Sequence, residues 1–103
     1  MLTNTAASAS ALSRLEEQAA YEVLYAELRA QAVALWRAYL DLIRTDDATA
    51  KAIRPSVDMI RDATHSTRPG TMERLLAMEL ENRTMERLLG IRVRVIKFTL
   101  VEE

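Results

Sequence analysis

Residues 11–44 read ALSRLEEQAAYEVLYAELRAQAVALWRAYLDLIR, with no glycine and no proline among them. Alanine, leucine, glutamate and arginine dominate, and these are the residues that lose least on entering a helix. The stretch predicts one continuous helix over residues 11–44. Its apolar residues fall into two strips. The first runs Tyr21, Leu24, Leu28, Leu35, Tyr39 and Leu42, with Gln31 as its polar member, at steps mostly of three and four. The second, Leu12, Ala19, Ala26, Val33 and Leu40, repeats every seven residues. Apolar groups therefore cover much of the circumference, which predicts contact with more than one neighbour. Length sharpens the point. Thirty-four helical residues span roughly 50 Å at 1.5 Å each, whereas a compact domain of this size has a radius of gyration near ~13 Å. The helix is expected to project from a simple globule, unless an elongated hairpin or a multimer accommodates it.

Upstream, residues 2–10 are rich in Thr, Asn, Ala and Ser and read as a flexible lead of residues 1–10. Downstream, Thr45-Asp46-Asp47 marks a stop and a restart, the carboxylates being suited to capping a second helix. That helix carries a weak pattern of Ile53, Val57, Ile60 and Thr64, with Pro55 expected to kink it or open a fresh turn. Ser66-Thr67-Arg68-Pro69-Gly70 is the clearest loop in the chain. A short repeat follows, Thr71-Met72-Glu73-Arg74-Leu75-Leu76 returning as Thr84-Met85-Glu86-Arg87-Leu88-Leu89. At about 100° per residue the two copies point some ~220° apart. Read as one helix ending at Gly90, its apolar stripe changes sides halfway and meets a different neighbour at each end.

Residues 91–101, from Ile91 to Val101, are the one strand-like run. Ile91, Val93 and Val95 share one parity and Ile96, Phe98 and Leu100 the other, so the alternation slips after Val95. The slip suggests a bulge or a twist toward a different neighbour. A single strand leaves N–H and C=O groups unpaired, which predicts pairing with another copy of the chain or with a different protein. An extended tail laid over its own helices is the alternative.

Composition bounds the function. The 103 residues make one domain, with residues 11–90 as its helical part and 91–103 as strand and tail. Half of the residues are apolar, but there are only one Trp, three Tyr and one Phe, so the core is thin and gains from burial against a neighbour. A net charge of −1, from 14 basic and 15 acidic residues, lacks the global excess of a nucleic-acid binder. With no cysteine there is no disulfide framework, zinc cluster or thiol nucleophile. No run of about 18 uncharged apolar residues exists and the N-terminus has no basic start followed by an apolar core, so no membrane partner and a cytoplasmic location are expected.

The search for chemistry yields little. His65 is the sole histidine, beside Ser66 and near Asp62; a nucleophile–base–orienter arrangement is formally available there, but a lone histidine in a polar loop is far more often a solvated surface residue. The pairs Glu16-Glu17, Asp46-Asp47, Glu79 with Glu81, and Glu102-Glu103 read as helix-face charges and caps, since no Glu-x-x-His accompanies them. With glycine only at positions 70 and 90, no phosphate-cradling loop can be drawn. Neither catalytic residues nor a cofactor, metal or small-molecule substrate is expected. Arg83, Arg87, Arg92, Arg94 and Lys97 gather toward the C-terminus; they are suited to phosphates, or to guarding a strand edge against aggregation. Trp36 and Tyr39, with Arg37 beside them, suit either an interface anchor or a helix-packing core, and Met59, Met72, Met78 and Met85 read as core filler.

The order Met72-x-x-Leu75-Leu76, then Glu79, then Arg87-Leu88-Leu89-Gly90-Ile91 and a strand resembles the end of the oligomerisation region of phage small terminase subunits. The resemblance covers about a quarter of the chain, residues 70–93, and includes no helix-turn-helix. It implies a helical hairpin assembled into a ring, with C-terminal strands closing a barrel, serving viral DNA packaging in the host cytoplasm or virion.

The expected fold is therefore mostly α, an elongated helical hairpin or bundle with a single C-terminal β-strand paired between subunits. The expected function is non-enzymatic: a homo-oligomer or a subunit of a larger assembly. Its interface is expected to use Leu24, Leu28, Leu35, Trp36, Tyr39 and Leu88 on the helices and Val93, Val95, Ile96, Phe98 and Leu100 on the strand. The alternative is a small nucleic-acid-associated regulator working through Arg92, Arg94 and Lys97.

Overall fold

The computed structural model describes residues 5–96 and 99–102, with side chains over 10–93. Three helices follow one another, α1 (Thr5–Thr45), α2 (Asp47–His65) and α3 (Met72–Leu89), and then two short strands, β1 (Val93–Ile96) and β2 (Thr99–Glu102). The fold is mostly helical. The molecule measures 68 × 29 × 16 Å with a radius of gyration of 18.1 Å, well above the ~13 Å of a compact domain of this length. The cause is α1, whose 41 residues reach about 61 Å at 1.5 Å per residue. It begins at Thr5, inside the stretch expected to be a lead.

The breaks fall where capping chemistry is available. Asp46 caps α2, accepting from the Thr49 amide at 3.1 Å and from the Thr49 hydroxyl at 2.6 Å. One residue thus separates α1 from α2, and the two helices form a tight hairpin. Pro55 lies inside α2, which runs through it without a break; its exposed position lets water satisfy the carbonyl that loses its N–H partner. Thr71 caps α3 through Arg74 N at 3.2 Å, and Gly90 ends it in the left-handed conformation, φ 69°. Arg74 also reaches back to Thr67, Nε to Oγ1 at 2.6 Å, which fastens the α2–α3 loop.

The core lies where the three helices meet. Leu35, Tyr39, Ala50, Val57, Met85 and Val93 form its buried cluster, with Ile53, Leu42, Leu88 and Ile91 packed around it. The α3 repeat behaves as its 220° offset requires. Met85 of the second copy is buried, while Met72 and Leu76 of the first are exposed. Equivalent letters meet opposite fates because thirteen residues do not make whole turns. Met59 is exposed as well, so of the four methionines read as core filler only Met78 and Met85 fill the core.

The C-terminal run, expected as one strand, holds two short strands. β1 and β2 pair antiparallel within the chain, with Val93 opposite Glu102, Arg94 opposite Val101, Val95 opposite Leu100 and Ile96 opposite Thr99. The register sets odd positions of β1 against even positions of β2, so a change of parity along the run is compatible with this reversal. The sequence between the strands, Lys97-Phe98, carries none of the Asn-Gly or Asp-Gly signals that announce a two-residue hairpin.

Candidate functional site

The two strips of α1 separate except at Leu24, a member of the first strip that is exposed. The strip of Tyr21, Leu28, Leu35, Tyr39 and Leu42 turns toward α2 and α3, with Leu35 and Tyr39 buried and the others half-buried. Gln31 is tied in: its amide donates to Val93 O at 3.4 Å, and its Oε1 accepts from Asn82 Nδ2 at 3.4 Å. Val93 N in turn donates to Glu86 Oε2 at 3.1 Å. The polar member of the strip therefore anchors the start of β1 between α1 and α3.

The second strip faces away. Leu12, Ala19, Ala26, Val33 and Leu40 are all exposed. Leu15 and Ile43 extend the same face three residues on from Leu12 and Leu40, and both are exposed. Glu22 and Arg29 occupy the equivalent places in the middle, and Trp36 the one between Val33 and Leu40. Positions 33 and 35 are two residues apart, or about 200° around the helix, so the strips lie on nearly opposite sides. The result is a heptad seam running from Leu12 to Ile43, exposed at every position but Trp36, which is half-buried under Arg61.

The N-terminal end of this seam stands beyond the bundle. Every residue from Ser10 to Ala20 is exposed, Leu12 at 60% and Leu15 at 66%. In the bundle half the seam borders a groove of about 460 Å³ between α1 and α3, walled by Val33, Trp36, Leu40, Met78 and Met85, with Arg61 and Glu81 at its polar edge. The Arg61 guanidinium sits 4.0 Å over the Trp36 ring, which also contacts Tyr39 at 5.3 Å between centroids. Burial pushes the Glu81 carboxyl above its ordinary pKa, against the pull of Arg61, His65 and Arg74. A second apolar cluster, Met72, Leu76 and Leu80, is exposed along α3.

The residues expected to form an interface therefore divide. Leu35, Tyr39 and Val93 are buried in the chain's own core, and Leu28 and Leu88 are half-buried; the single chain already covers them. Leu24 is exposed and Trp36 half-buried. Val95, Ile96 and Leu100 are described only in backbone, and Phe98 lies outside the described residues. The surface the sequence reading underrates is the second strip. Its signal was present in the period of seven, and Leu15 and Ile43 are what it lacked.

Comparison with protein-family models, curated proteins and solved structures finds no match.

Of the basic residues, Arg83, Arg87 and Arg92 converge on one shallow groove of about 600 Å³ with Leu80, Glu86 and Ile91. Arg83 is paired with Glu79, and Glu86 is engaged by Val93 N. The side chain of Arg94 is not described, and Lys97 lies outside the described residues. His65 Nδ1 lies 2.9 Å from the Arg61 carbonyl, and Ser66 Oγ donates to the Asp62 carbonyl at 2.8 Å. These are bonds of a helix terminus, and among the described residues His65 and Ser66 are not bonded to each other. Among the described residues no group of three or more His, Asp or Glu is placed to hold a metal, and no helix is long and apolar enough to cross a membrane.

Proposed function

We propose that this protein is a non-enzymatic, self-assembling helical subunit, acting as a structural or adaptor component of a larger assembly in the cytoplasm or, if phage-encoded, in the virion. One observation carries the reading: the largely apolar seam from Leu12 to Ile43 is exposed at every position but Trp36, and its first third projects beyond the bundle. Contiguous exposed apolar surface on a small protein marks an interaction site, and a heptad period selects another helix as its occupant. The resemblance of residues 70–93 to small terminase subunits favours a ring such as those of DNA packaging or head–tail junctions as the concrete form. The exposed seam supports assembly through α1.

Light scattering across a concentration series tests this. The wild type is expected above the mass of one chain, and the double variant Leu12→Glu/Leu15→Glu at the mass of one chain with its helicity retained. A wild type that stays at the mass of one chain at every concentration overturns the reading.

A second reading draws on the convergence of Arg83, Arg87 and Arg92 in one groove: a nucleic-acid-associated regulator. It requires binding to duplex DNA that falls steeply with salt and that is lost in Arg87→Gln/Arg92→Gln; binding insensitive to both ends it.

A further inference from the structure

We infer that two copies of this chain pair antiparallel through α1, about a two-fold axis at Ala26, so that the projecting arm of each lies along the Val33–Ile43 half of the other. The inference rests on the assembly reading above and gives its pairing step a geometry, a closed two-fold dimer from which any ring would be built. Three observations carry it.

The first is charge. The seam is apolar except at Glu22 and Arg29, which flank Ala26. Both are exposed, and neither is in an ion pair among the described residues. A parallel pair sets Glu22 against the partner's Glu22, and Arg29 against the partner's Arg29. An antiparallel pair sets Glu22 against the partner's Arg29, and symmetry makes that contact twice. Seam charges of this kind select orientation.

The second is the arm. Residues 10–20 are helical yet touch nothing that buries them, and a helix end without tertiary cover has little beyond its own propensity to hold it. Antiparallel pairing supplies the missing surface. Leu12 and Leu15 of the arm come to the strip formed by Val33, Trp36 and Leu40 of the other copy, beside its groove of about 460 Å³. The third is close approach. Ala19 and Ala26 are the small residues of the seam, and they lie toward its centre, where two backbones must come nearest.

The chain has no cysteine, so Ser10→Cys gives a single attachment point for a spin label. Dipolar distance measurement on the labelled protein is expected to give about 50 Å, the axial separation of two residues each some 16 positions from the axis. A parallel pair gives a separation near the about 10 Å between packed helix axes. Alongside it, Glu22→Arg and Arg29→Glu are each expected to weaken association by roughly tenfold, as two symmetry-related pairs change sign together. The double variant Glu22→Arg/Arg29→Glu is expected to restore it. Circular dichroism checks that each exposed substitution leaves the helices intact. An oligomer with the short distance, or one that the double variant fails to restore, overturns the antiparallel pairing and leaves assembly standing. A protein that never exceeds one chain overturns both.

Discussion

Asn82 of α3 donates its side-chain amide to the backbone carbonyl of Leu28 on α1, 3.0 Å away. The residue is only 3% exposed, and its Oδ1 has no hydrogen-bond partner. The bond joins the two helices at the level where Gln31 links them to β1. A single polar side chain thus fixes the height of α3 on α1. A buried donor bonded to a fixed carbonyl has one good geometry, whereas apolar contacts tolerate sliding.

Asn82→Asp removes the donor and buries a carboxylate facing carbonyl oxygens. It is expected to lower stability by about 3 kcal/mol or more at pH 7, against about 2 kcal/mol for Asn82→Ala. Urea denaturation reads both, and a wild-type midpoint for Asn82→Asp contradicts the burial of this group.

Arg61 over Trp36 is worth about 1 kcal/mol as a partly exposed cation–π contact. Arg61→Ala is expected to lose that amount and to shift the emission of Trp36, which reports alone because it is the only tryptophan. Arg61→Met keeps an apolar stem over the ring and separates charge from coverage. If Arg61→Ala leaves both emission and stability unchanged, the stacked geometry does not persist in solution.

Glu81 and Asp46 have opposite effects on the pH dependence. Burial raises Glu81 above its ordinary 4.5, so the folded chain holds its proton longer than the unfolded one. Stability from this group therefore falls as pH rises from about the unfolded value through the raised folded value, and the full penalty is present at neutral pH. Glu81→Gln is expected to raise the neutral-pH thermal midpoint and to change little near pH 4. Asp46 is lowered below its ordinary 3.8 by the Thr49 hydroxyl and then by the Thr49 amide. Its contribution is present above the unfolded value and is lost as pH falls through the lowered folded value. Asp46→Ala is expected to reduce stability at neutral pH and to flatten the acid limb. Melting curves from pH 3 to 8 on the two variants distinguish these signs, and parallel curves refute them.

Gly90 ends α3 at φ 69°, with nothing within 4 Å of where a Cβ would stand. The cost of Gly90→Ala is thus backbone strain alone, about 1 kcal/mol. Thr71→Ala, which removes the cap at the other end of the same helix, is expected to cost about as much, and Thr71→Ser much less. Chemical denaturation checks the ranking; equal midpoints for Thr71→Ser and Thr71→Ala exclude the cap.

Much of this fold was legible in the letters because its decisions are local. The restart at Asp46, the loop before Thr71 and the stop at Gly90 each follow from what one side chain or one missing Cβ does to its own backbone. The long helix follows from an unbroken run of good formers, and its two strips from their spacing. The hairpin was less legible. Lys97-Phe98 has no turn preference of the usual kind, and the parity slip at Val95 fits a bulge as readily as a reversal.

Periodicity alone states how far apart two faces of α1 stand; it does not say which face is covered. That choice was made when α2 and α3 closed over Leu35 and Tyr39, held in register by Asn82 and Gln31, and left Leu12, Val33 and Leu40 outside. Burial is a property of the whole packed chain, because a side chain leaves water only when residues distant in sequence arrive to replace it. The local rules drew the helices and their ends. Only the tertiary contacts could turn one of two similar seams into a core and the other into a surface for assembly.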